Sequence, residues 1–290
     1  MRAAATGAVL LALALLAGCT TLELGAVNAV ELGRGSYRRD SDLAYGALPR
    51  QRLDVYVPTT PATGPRPLVV FVHGGRWSYG SKDQYRFLAA GLAERGIVVV
   101  VPNYRLYPEV HMAESAEDVA RAVVWAEQAA AGYGADRAGV AVMGHSAGAQ
   151  LAALVATDQH WIADAGGAPV RALVGLAGPY DFLPLTDDDL KDYFGPPERY
   201  PASQPVNFVD ATSAPALLLH GADDTTTRPR NTESLAARLR ASGVPVEVRM
   251  LPGEGHTAVL KRFARFYRGD DAVYESIVRF LAAPPARQAG

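Results

Sequence analysis

The sequence predicts an α/β protein built on one mostly parallel β-sheet with helices on both faces. Short apolar runs rich in β-branched residues alternate along the chain with longer helix-forming stretches. That alternation is typical of parallel strands joined by helical crossovers. No internal repeat and no linker-like stretch divides the body of the chain. We therefore predict a single domain over residues 46–283, followed by a flexible tail at 284–290.

Each predicted strand and helix follows from a local pattern of residues. Continuous runs of apolar β-formers predict buried central strands, whereas the alternating stretch at 52–58 predicts a half-exposed strand. The predicted strands cover residues 52–58, 68–72, 96–102, 139–143, 171–176, 216–219 and 246–251. The predicted helices cover residues 81–95, 113–131, 149–156, 229–241 and 271–281.

The N-terminal residues have the pattern of a bacterial secretion signal. Residues 3–17 are mostly apolar, but the run is shorter than the roughly 20 residues that a membrane span needs. Residues 16–19, Leu-Ala-Gly-Cys, resemble a bacterial lipobox, in which the leader is cut before a cysteine that then carries lipid. We predict a lipoprotein signal peptide at 1–18, lipidation at Cys19 and a tether over 19–45. An ordinary cleaved leader and a plain N-terminal helix are the alternatives.

Composition and charge narrow the possible partners. The chain is 49% hydrophobic and 20% charged with a net charge of −2, which is ordinary for a globular protein and gives no reason to expect nucleic acid. Cys19 is the single cysteine, so the chain has no disulfide framework. Several acyl chains on it would hold the protein on a membrane. By resemblance to Gram-negative lipoproteins, Thr20 after the cysteine indicates the outer membrane, facing the periplasm.

Residues 144–148 read Gly-His-Ser-Ala-Gly and lie between a predicted strand and a predicted helix. A Gly-x-Ser-x-Gly sequence in that context is typical of a nucleophile elbow. The flanking glycines leave room for a strained serine backbone beside the neighbouring strand and helix. The positive N-terminal end of the helix points at the place where an oxyanion would form. Ser146 is therefore the candidate nucleophile.

A serine hydroxyl needs a base that takes its proton and an acid that orients the base. Three histidines follow Ser146 in the chain. His256 lies in a glycine-rich loop right after the last predicted strand, from which it can reach back over the sheet edge. We expect His220 to pack or shape its turn, and His160 to lie far from the serine. His256 is therefore the candidate base.

The acid is expected in the loop that follows the penultimate strand. Residues 220–225 read His-Gly-Ala-Asp-Asp-Thr and offer Asp223 and Asp224. Either carboxylate could turn toward His256, so the residues alone leave both open.

A developing oxyanion requires two hydrogen-bond donors. The first is the backbone N–H of Ala147, directly after the nucleophile. The second is expected from residues 73–77, His-Gly-Gly-Arg-Trp, whose glycines let N–H groups point into the site. Gly75 and Arg76 are the candidate donors in this turn, and His73 is expected to brace the turn without acting as a second base.

A segment rich in proline and aromatic residues, 178–214, interrupts the alternation of strands and helices. A long insertion beside the functional edge of the sheet is expected to form a cap or a pocket wall. The alternative is a purely structural segment with a small core of its own. Tyr180 in this segment is a candidate pocket residue. Trp77 and Tyr79 either line an acyl pocket or fill core space.

From about residue 48 to residue 281 the chain resembles the α/β-hydrolase superfamily. Within it, the chain is similar to carboxylesterases with a His-Gly-Gly-x-Trp turn, which are related to hormone-sensitive-lipase-like enzymes, kynurenine formamidases and plant isoprenylcysteine methylesterases. The residues that carry the resemblance are 73–77, 103–105, 144–148, Asp224 and His256. The lipase-like relatives usually have a third glycine where this chain has Arg76.

The resemblance implies an α/β-hydrolase fold and the choice of Asp224, because the family pattern places the acid four residues after the histidine of a His-Gly pair. It also implies a serine hydrolase that cleaves small acyl or aryl esters through an acyl-enzyme and needs no cofactor. Two alternatives remain: an amidase or aryl-formamidase with the same three residues, and a catalytically silent, membrane-tethered binding protein on a hydrolase scaffold. The sequence leaves the natural substrate and the oligomeric state open.

Overall fold

The computed structural model describes residues 28, 35–137, 139–268 and 271–286. The predicted signal peptide, Cys19 and the end of the predicted tail lie outside the described residues. None of the helices in the described ranges has the length and apolar character of a membrane span.

Eight strands in these ranges form one mostly parallel sheet, as the sequence predicts. They are β1 (Tyr37–Ala44), β2 (Arg52–Pro58), β3 (Leu68–Val72), β4 (Val98–Pro102), β5 (Ala141–His145), β6 (Ala172–Leu176), β7 (Ala216–Gly221) and β8 (Val246–Leu251). Their order across the sheet is β1-β2-β4-β3-β5-β6-β7-β8. The pairs β1–β2 and β2–β4 are antiparallel, and every other neighbouring pair is parallel.

Helices of the described ranges connect these strands. They are α1 (Arg86–Glu94), α2 (Met112–Ala129), α3 (Ala147–Thr157), α4 (His160–Asp164), α5 (Asp188–Tyr193), α6 (Arg230–Ala241), α7 (Ala258–Lys261) and α8 (Ala272–Ala282). Short 3₁₀ turns cover Lys82–Tyr85, Ala130–Tyr133, Pro197–Ser203 and Pro205–Phe208. The predicted helices are all present, and their ends differ from the prediction by a few residues.

Apolar side chains cover both faces of the sheet, which explains the continuous apolar runs of its central strands. On β3, Val70 and Val72 point into one core with α2 and α3, whereas Val69 and Phe71 point into the other with α1 and α8. A strand buried on both sides needs apolar residues at every position.

The predicted tether over residues 19–45 is wrong for its last part, because residues 37–44 form the edge strand β1. Most of its side chains are exposed, and its pairing with β2 shifts register between Asp40 and Leu43. An exposed, irregular edge strand has polar residues and no clean alternation, so its sequence resembles a loop. The buried Lys82 ammonium lies 2.8 Å from Asp42 of β1 and 2.9 Å from Asp54 of β2, which ties the edge strand to the sheet.

Candidate active site

Ser146 lies at the sharp turn between β5 and α3, with φ +54° and ψ −126°. The backbone is tight there, because a Cβ atom on Gly148 would lie 2.2 Å from the carbonyl oxygen of Val72. A Cβ atom on Gly144 would lie 2.3 Å from the carbonyl oxygen of Gly148. The glycines of the motif are thus required for the close approach of β3, β5 and α3.

A hydrogen-bonded row joins Ser146, His256 and Asp224. His256 Nε2 lies 2.8 Å from Ser146 Oγ, and His256 Nδ1 lies 2.7 Å from Asp224 Oδ2. With the ring proton on Nδ1, His256 donates to the carboxylate while Nε2 accepts from the serine hydroxyl. Side chains that are 110 and 32 residues apart in sequence therefore form one candidate triad.

Asp224, and not Asp223, turns toward His256. The Asp223 side chain is exposed, whereas Asp224 is buried and its Oδ1 accepts from the N–H groups of Thr226 (2.8 Å) and Thr227 (2.9 Å). Burial by itself would raise the pKa of Asp224, but hydrogen bonds from His220 and His256 together hold that pKa well below its usual range. Asp224 therefore stays ionised beside His256.

His220 packs and shapes its turn as expected, but it also contacts the candidate acid. It is completely buried, with Nδ1 2.7 Å from Thr232 Oγ1 and Nε2 2.7 Å from the Thr227 carbonyl oxygen. Because that carbonyl can only accept, Nε2 carries the proton, and it also lies 3.1 Å from Asp224 Oδ2. This contact was not predicted from the sequence, although the spacing of four residues across a turn is a signal for it.

The oxyanion turn, residues 73–77, follows β3, and Gly74 to Trp77 line a cavity that Ser146 and His256 also line. Gly75, Arg76 and Trp77 have φ values of +125°, +50° and +59°. Among the described residues, no backbone carbonyl accepts from the N–H groups of Gly75, Arg76 or Ala147. These three candidate donors border the same cavity as Ser146.

His73 braces the oxyanion turn from within the core. Its ring stacks on Tyr104 with 4.4 Å between ring centroids, and its Nδ1 lies 2.8 Å from the Gly74 carbonyl oxygen. Burial lowers the pKa of His73 to about 3. Tyr104 also donates from its hydroxyl to the His73 carbonyl oxygen at 3.2 Å, so it helps to hold the turn in place.

A cavity of about 690 Å³ opens at Ser146. The predicted insertion supplies its apolar wall through Phe182, Pro184, Leu185 and Leu190. Thr226, Thr227, Thr257 and Lys261 also line the cavity and contribute polar groups. The insertion therefore forms part of the pocket, and it also packs into the main core through Tyr193 and Phe194.

The three predicted pocket residues differ in their positions. Trp77 borders the cavity but is only 5% exposed, and its indole N–H donates to Gln150 Oε1 at 3.0 Å, so it also fills core space. Tyr79 is 41% exposed at the rim of the cavity. The prediction for Tyr180 is wrong, because this residue is completely buried against Gly175 and Gly178 and does not border the cavity. Aromatic character alone does not decide which way a side chain points.

His145, the residue before the candidate nucleophile, also lines the cavity, although the sequence does not predict a role for it. Its Nε2 lies 3.3 Å from the His256 carbonyl oxygen, and its Nδ1 lies 3.4 Å from the Tyr85 hydroxyl. Burial, with a smaller effect of the neighbouring His256, lowers the pKa of His145 to about 3. It supports the His256 loop as a neutral ring. In the described part of the chain, no group of three or more His, Cys, Asp or Glu side chains is placed to hold a metal ion.

A mostly parallel sheet with a serine turn after β5, an acid after β7 and a histidine after β8 defines a protein of the α/β-hydrolase fold. The BD-FAE family model matches residues 53–239, and the chain belongs to this family. The matched region includes the oxyanion turn, Ser146 and Asp224.

Relatives of known name include esterases and a formamidase. The chain is 29% identical to the probable isoprenylcysteine alpha-carbonyl methylesterase ICMEL1 of Arabidopsis thaliana, over 81% of this chain and 54% of that protein. It is 31% identical to esterase LipC of Mycobacterium tuberculosis, over 73% of this chain and 58% of that protein. It is 34% identical to kynurenine formamidase of Salmo salar, over 53% of this chain and 51% of that protein. The chain thus spans little more than half the length of these relatives.

Solved esterases share the fold over most of this chain. The esterase of Pyrobaculum calidifontis superposes with a TM-score of 0.75 at 24% identity, covering 93% of this chain and 92% of that one. Esterase B of Lactobacillus rhamnosis superposes with a TM-score of 0.74 at 19% identity, covering 93% of this chain and 95% of that one.

Proposed function

We propose that the protein is a serine hydrolase that cleaves carboxylic esters with small acyl or aryl groups. The observation that supports the proposal is a continuous chain of hydrogen bonds from Asp224 through His256 to Ser146. The distance is 2.7 Å from Asp224 Oδ2 to His256 Nδ1 and 2.8 Å from His256 Nε2 to Ser146 Oγ. Hydrogen-bonded nucleophile, base and orienting acid are the arrangement that acyl transfer requires.

In the proposed reaction, Ser146 Oγ attacks the ester carbonyl carbon while His256 Nε2 takes the hydroxyl proton. Asp224 keeps the ring in the tautomer that can accept this proton. The N–H groups of Ala147 and of Gly75 or Arg76 stabilise the oxyanion. His256 then protonates the leaving alcohol, and a water molecule deprotonated by the same ring releases the acid. This sequence of steps requires no cofactor.

The apolar wall built by the insertion supports uncharged acyl or aryl groups as the bound part of the substrate, because such groups gain most from burial against aliphatic and aromatic side chains. The esterases among the relatives support the same reaction class.

Replacing Ser146 with alanine tests the proposal. We expect Ser146→Ala to lose at least about a thousandfold in kcat on a chromogenic acetate ester, because the nucleophile is gone while the cavity stays intact. Ser41→Ala, on the exposed edge strand, is the matched control and should retain wild-type turnover. A fluorophosphonate should label the wild type and Ser41→Ala but not Ser146→Ala. Wild-type turnover by Ser146→Ala would refute the assignment, and a wild type that neither turns over esters nor accepts the label would favour the silent binding protein.

A second candidate function is amide hydrolysis of the aryl-formamidase type, which the 34% identity to kynurenine formamidase favours. The same three residues would act, since an amide passes through the same tetrahedral intermediate. A matched pair of substrates, an aryl ester and the corresponding aryl formamide, separates the two functions. A higher kcat/KM on the formamide would make formamide hydrolysis the main activity. A higher kcat/KM on the ester would make formamide hydrolysis a side activity.

We also propose that the enzyme is attached to the cell envelope through lipid on Cys19, in the outer membrane and facing the periplasm. The lipobox-like residues 16–19 after an apolar leader support this location.

A further inference from the structure

The side chain of Arg76 joins the oxyanion turn to the insertion. Its Nη2 atom lies 2.8 Å from Asp187 Oδ2 and 2.9 and 3.1 Å from the two carboxylate oxygens of Asp189. Asp187 precedes helix α5 and Asp189 lies in its first turn. The guanidinium is mostly shielded, with 23% of the side chain exposed. Arg76 is therefore committed to two carboxylates of the insertion.

The backbone around Arg76 is held in a conformation that glycine adopts far more readily. Arg76 and Trp77 have φ values of +50° and +59°, in the left-handed region that side chains disfavour. Such residues persist only where their surroundings hold them in place. Because the N–H groups of Gly75 and Arg76 are the candidate oxyanion donors, this conformation decides where the donors point.

Two sets of contacts with the insertion help to hold the oxyanion turn. The first is the pair of ion pairs from Arg76 to Asp187 and Asp189. The second is the ring of Trp77, whose centroid lies 5.7 Å from that of Tyr193 and 4.9 Å from that of Phe194. The insertion thus supports the turn as well as walling the cavity.

We propose that Arg76 is a positioning residue whose ion pairs with Asp187 and Asp189 hold the oxyanion turn in its donor geometry, so that docking of the insertion sets the rate of acyl transfer. The inference rests on the proposed hydrolase function. An oxyanion donor acts mainly in the transition state, so a loosened turn lowers kcat and leaves KM nearly unchanged.

The three consecutive aspartates of the insertion provide a matched experiment. In Asp187→Asn/Asp189→Asn both partners of Arg76 lose their charge at almost constant volume. Asp188→Asn is the control, because Asp188 is 97% exposed and pairs with Lys191, 2.8 Å away. We expect kcat of the double variant to fall by about tenfold to a hundredfold, less than the loss of a whole donor, with KM within about twofold of wild type. Asp188→Asn should retain both constants.

Combining the substitutions separates positioning from a general loss of stability. If Arg76 acts through these carboxylates, Arg76→Gln and the triple variant Arg76→Gln/Asp187→Asn/Asp189→Asn should have the same kcat, since the coupled partners share one effect. An active wild type with a double variant of equal kcat would overturn the role of Arg76, even if the variant melts at a lower temperature. A wild type without esterase or amidase activity would instead refute the proposed function.

Ionic strength tests the proposal on the unmodified protein, should the double variant fail to fold. Raising the salt concentration from about 0.01 M to about 1 M shortens the Debye length from about 30 Å to about 3 Å. The carboxylates of Asp187 and Asp189 are 50% and 42% exposed, so their ion pairs with Arg76 are open to screening. We expect kcat of the wild type to fall with salt and kcat of Arg76→Gln to remain flat. Parallel salt profiles for the two proteins would overturn the proposal.

Discussion

At the scale of single residues, the carboxylate of Asp224 accepts hydrogen bonds on both of its oxygens. Two backbone N–H groups hold Oδ1, while the rings of His256 and His220 approach Oδ2. A carboxylate fixed in this way holds the His256 ring in one orientation, as preorganised catalysis would require. The low pKa of Asp224 keeps it charged, so in the proposed reaction it would stabilise the imidazolium formed when His256 takes the serine proton.

Substituting the two neighbouring aspartates separately tests this arrangement. We expect Asp224→Asn to lower kcat by about 10⁴-fold, because an amide cannot hold His256 in the tautomer that accepts the serine proton. Asp223→Asn is the matched control on the same turn and should stay within about twofold of wild type, since its side chain is exposed. Equal losses in both variants, measured as kcat on a chromogenic ester, would contradict the assignment of the acid.

The residues of the site could be predicted in part from the sequence. The sequence predicts Ser146 and His256 as candidates, because a local motif and a position after a strand indicate them, and the structure brings the two side chains together. The residues alone could not choose between Asp223 and Asp224, since adjacent side chains on a turn point in different directions that only the loop conformation fixes. The contact of His220 with Asp224 was missed for the same reason.

At the scale of elements, the turn between β5 and α3 works because three backbones approach one another closely. The α3 backbone at Gly148 touches the end of β3 at Val72 and His73. That contact places the N-terminal end of α3, which carries the N–H of Ala147, beside the start of the oxyanion turn. Two glycines of one motif therefore allow the candidate nucleophile to lie close to the oxyanion turn.

A single methyl group at this contact should disrupt the site. We expect Gly148→Ala to lower the free energy of unfolding by about 1–3 kcal/mol and to reduce kcat, because the new Cβ atom would lie 2.2 Å from a backbone oxygen that cannot move freely. Gly132→Ala is the control, since a Cβ atom there meets nothing within 4 Å. Chemical denaturation and ester turnover measure the two effects. A Gly148→Ala variant as stable and active as Gly132→Ala would show that this close contact controls neither stability nor turnover.

The central elements of the sheet were predictable, whereas its edge and the insertion were not. Strands such as β3 and β4 are buried on both faces, so their apolar runs are unmistakable. The edge strand β1 is exposed and irregular, so no period of apolar residues identifies it. In the insertion, Phe182 lines the cavity whereas Tyr180 is buried in the core. The composition of the insertion does not indicate which way each aromatic side chain points.

At the scale of the whole molecule, two histidines are buried without charge. The pKa values of His73 and His145 are lowered to about 3 by burial, against an ordinary value of about 6.5. Between these two values the unfolded chain binds protons that the folded chain does not. The free energy of unfolding must therefore decrease as the pH falls from about 6.5 toward about 3.

Removing one of these histidines should flatten the dependence of stability on pH. We expect His73→Gln to reduce the slope of the unfolding free energy between about pH 4.5 and about pH 6 by about 1.4 kcal/mol per pH unit, whatever its effect on the absolute stability. Val174→Ala, a core truncation without a titrating group, should lower stability equally at each pH. Urea denaturation at a series of pH values measures both. An unchanged slope in His73→Gln would mean that this ring is protonated in the folded protein.

The location of the whole protein is tested at its single cysteine. We expect Cys19→Ser, expressed in a Gram-negative host, to leave the membrane fraction for a soluble fraction, because the proposed lipid would have no attachment site. Thr21→Ser is the control and should remain with the membrane. Fractionation followed by immunoblotting measures the distribution. Membrane retention of Cys19→Ser would point to an attachment that does not use lipid on this residue.

The sequence by itself determined the α/β class, the central strands and helices, the candidate nucleophile and the candidate base. These features depend on local patterns. Burial on both faces, helical periodicity and a glycine-flanked turn each produce a recognisable sequence pattern within a few neighbouring residues.

The tertiary structure fixed the contact of Asp224 with His256, which the family resemblance implied but the residues alone left open. Only the tertiary structure decided which aromatic residues face the cavity and how Arg76 reaches the insertion. Arg76 and its partners Asp187 and Asp189 are 111 and 113 residues apart in the chain, and the ring of His256 lies 110 residues from Ser146. Contacts over such separations depend on strand order and on the direction in which each loop side chain packs. No local pattern encodes that direction, because it results from the packing of elements that are distant in sequence.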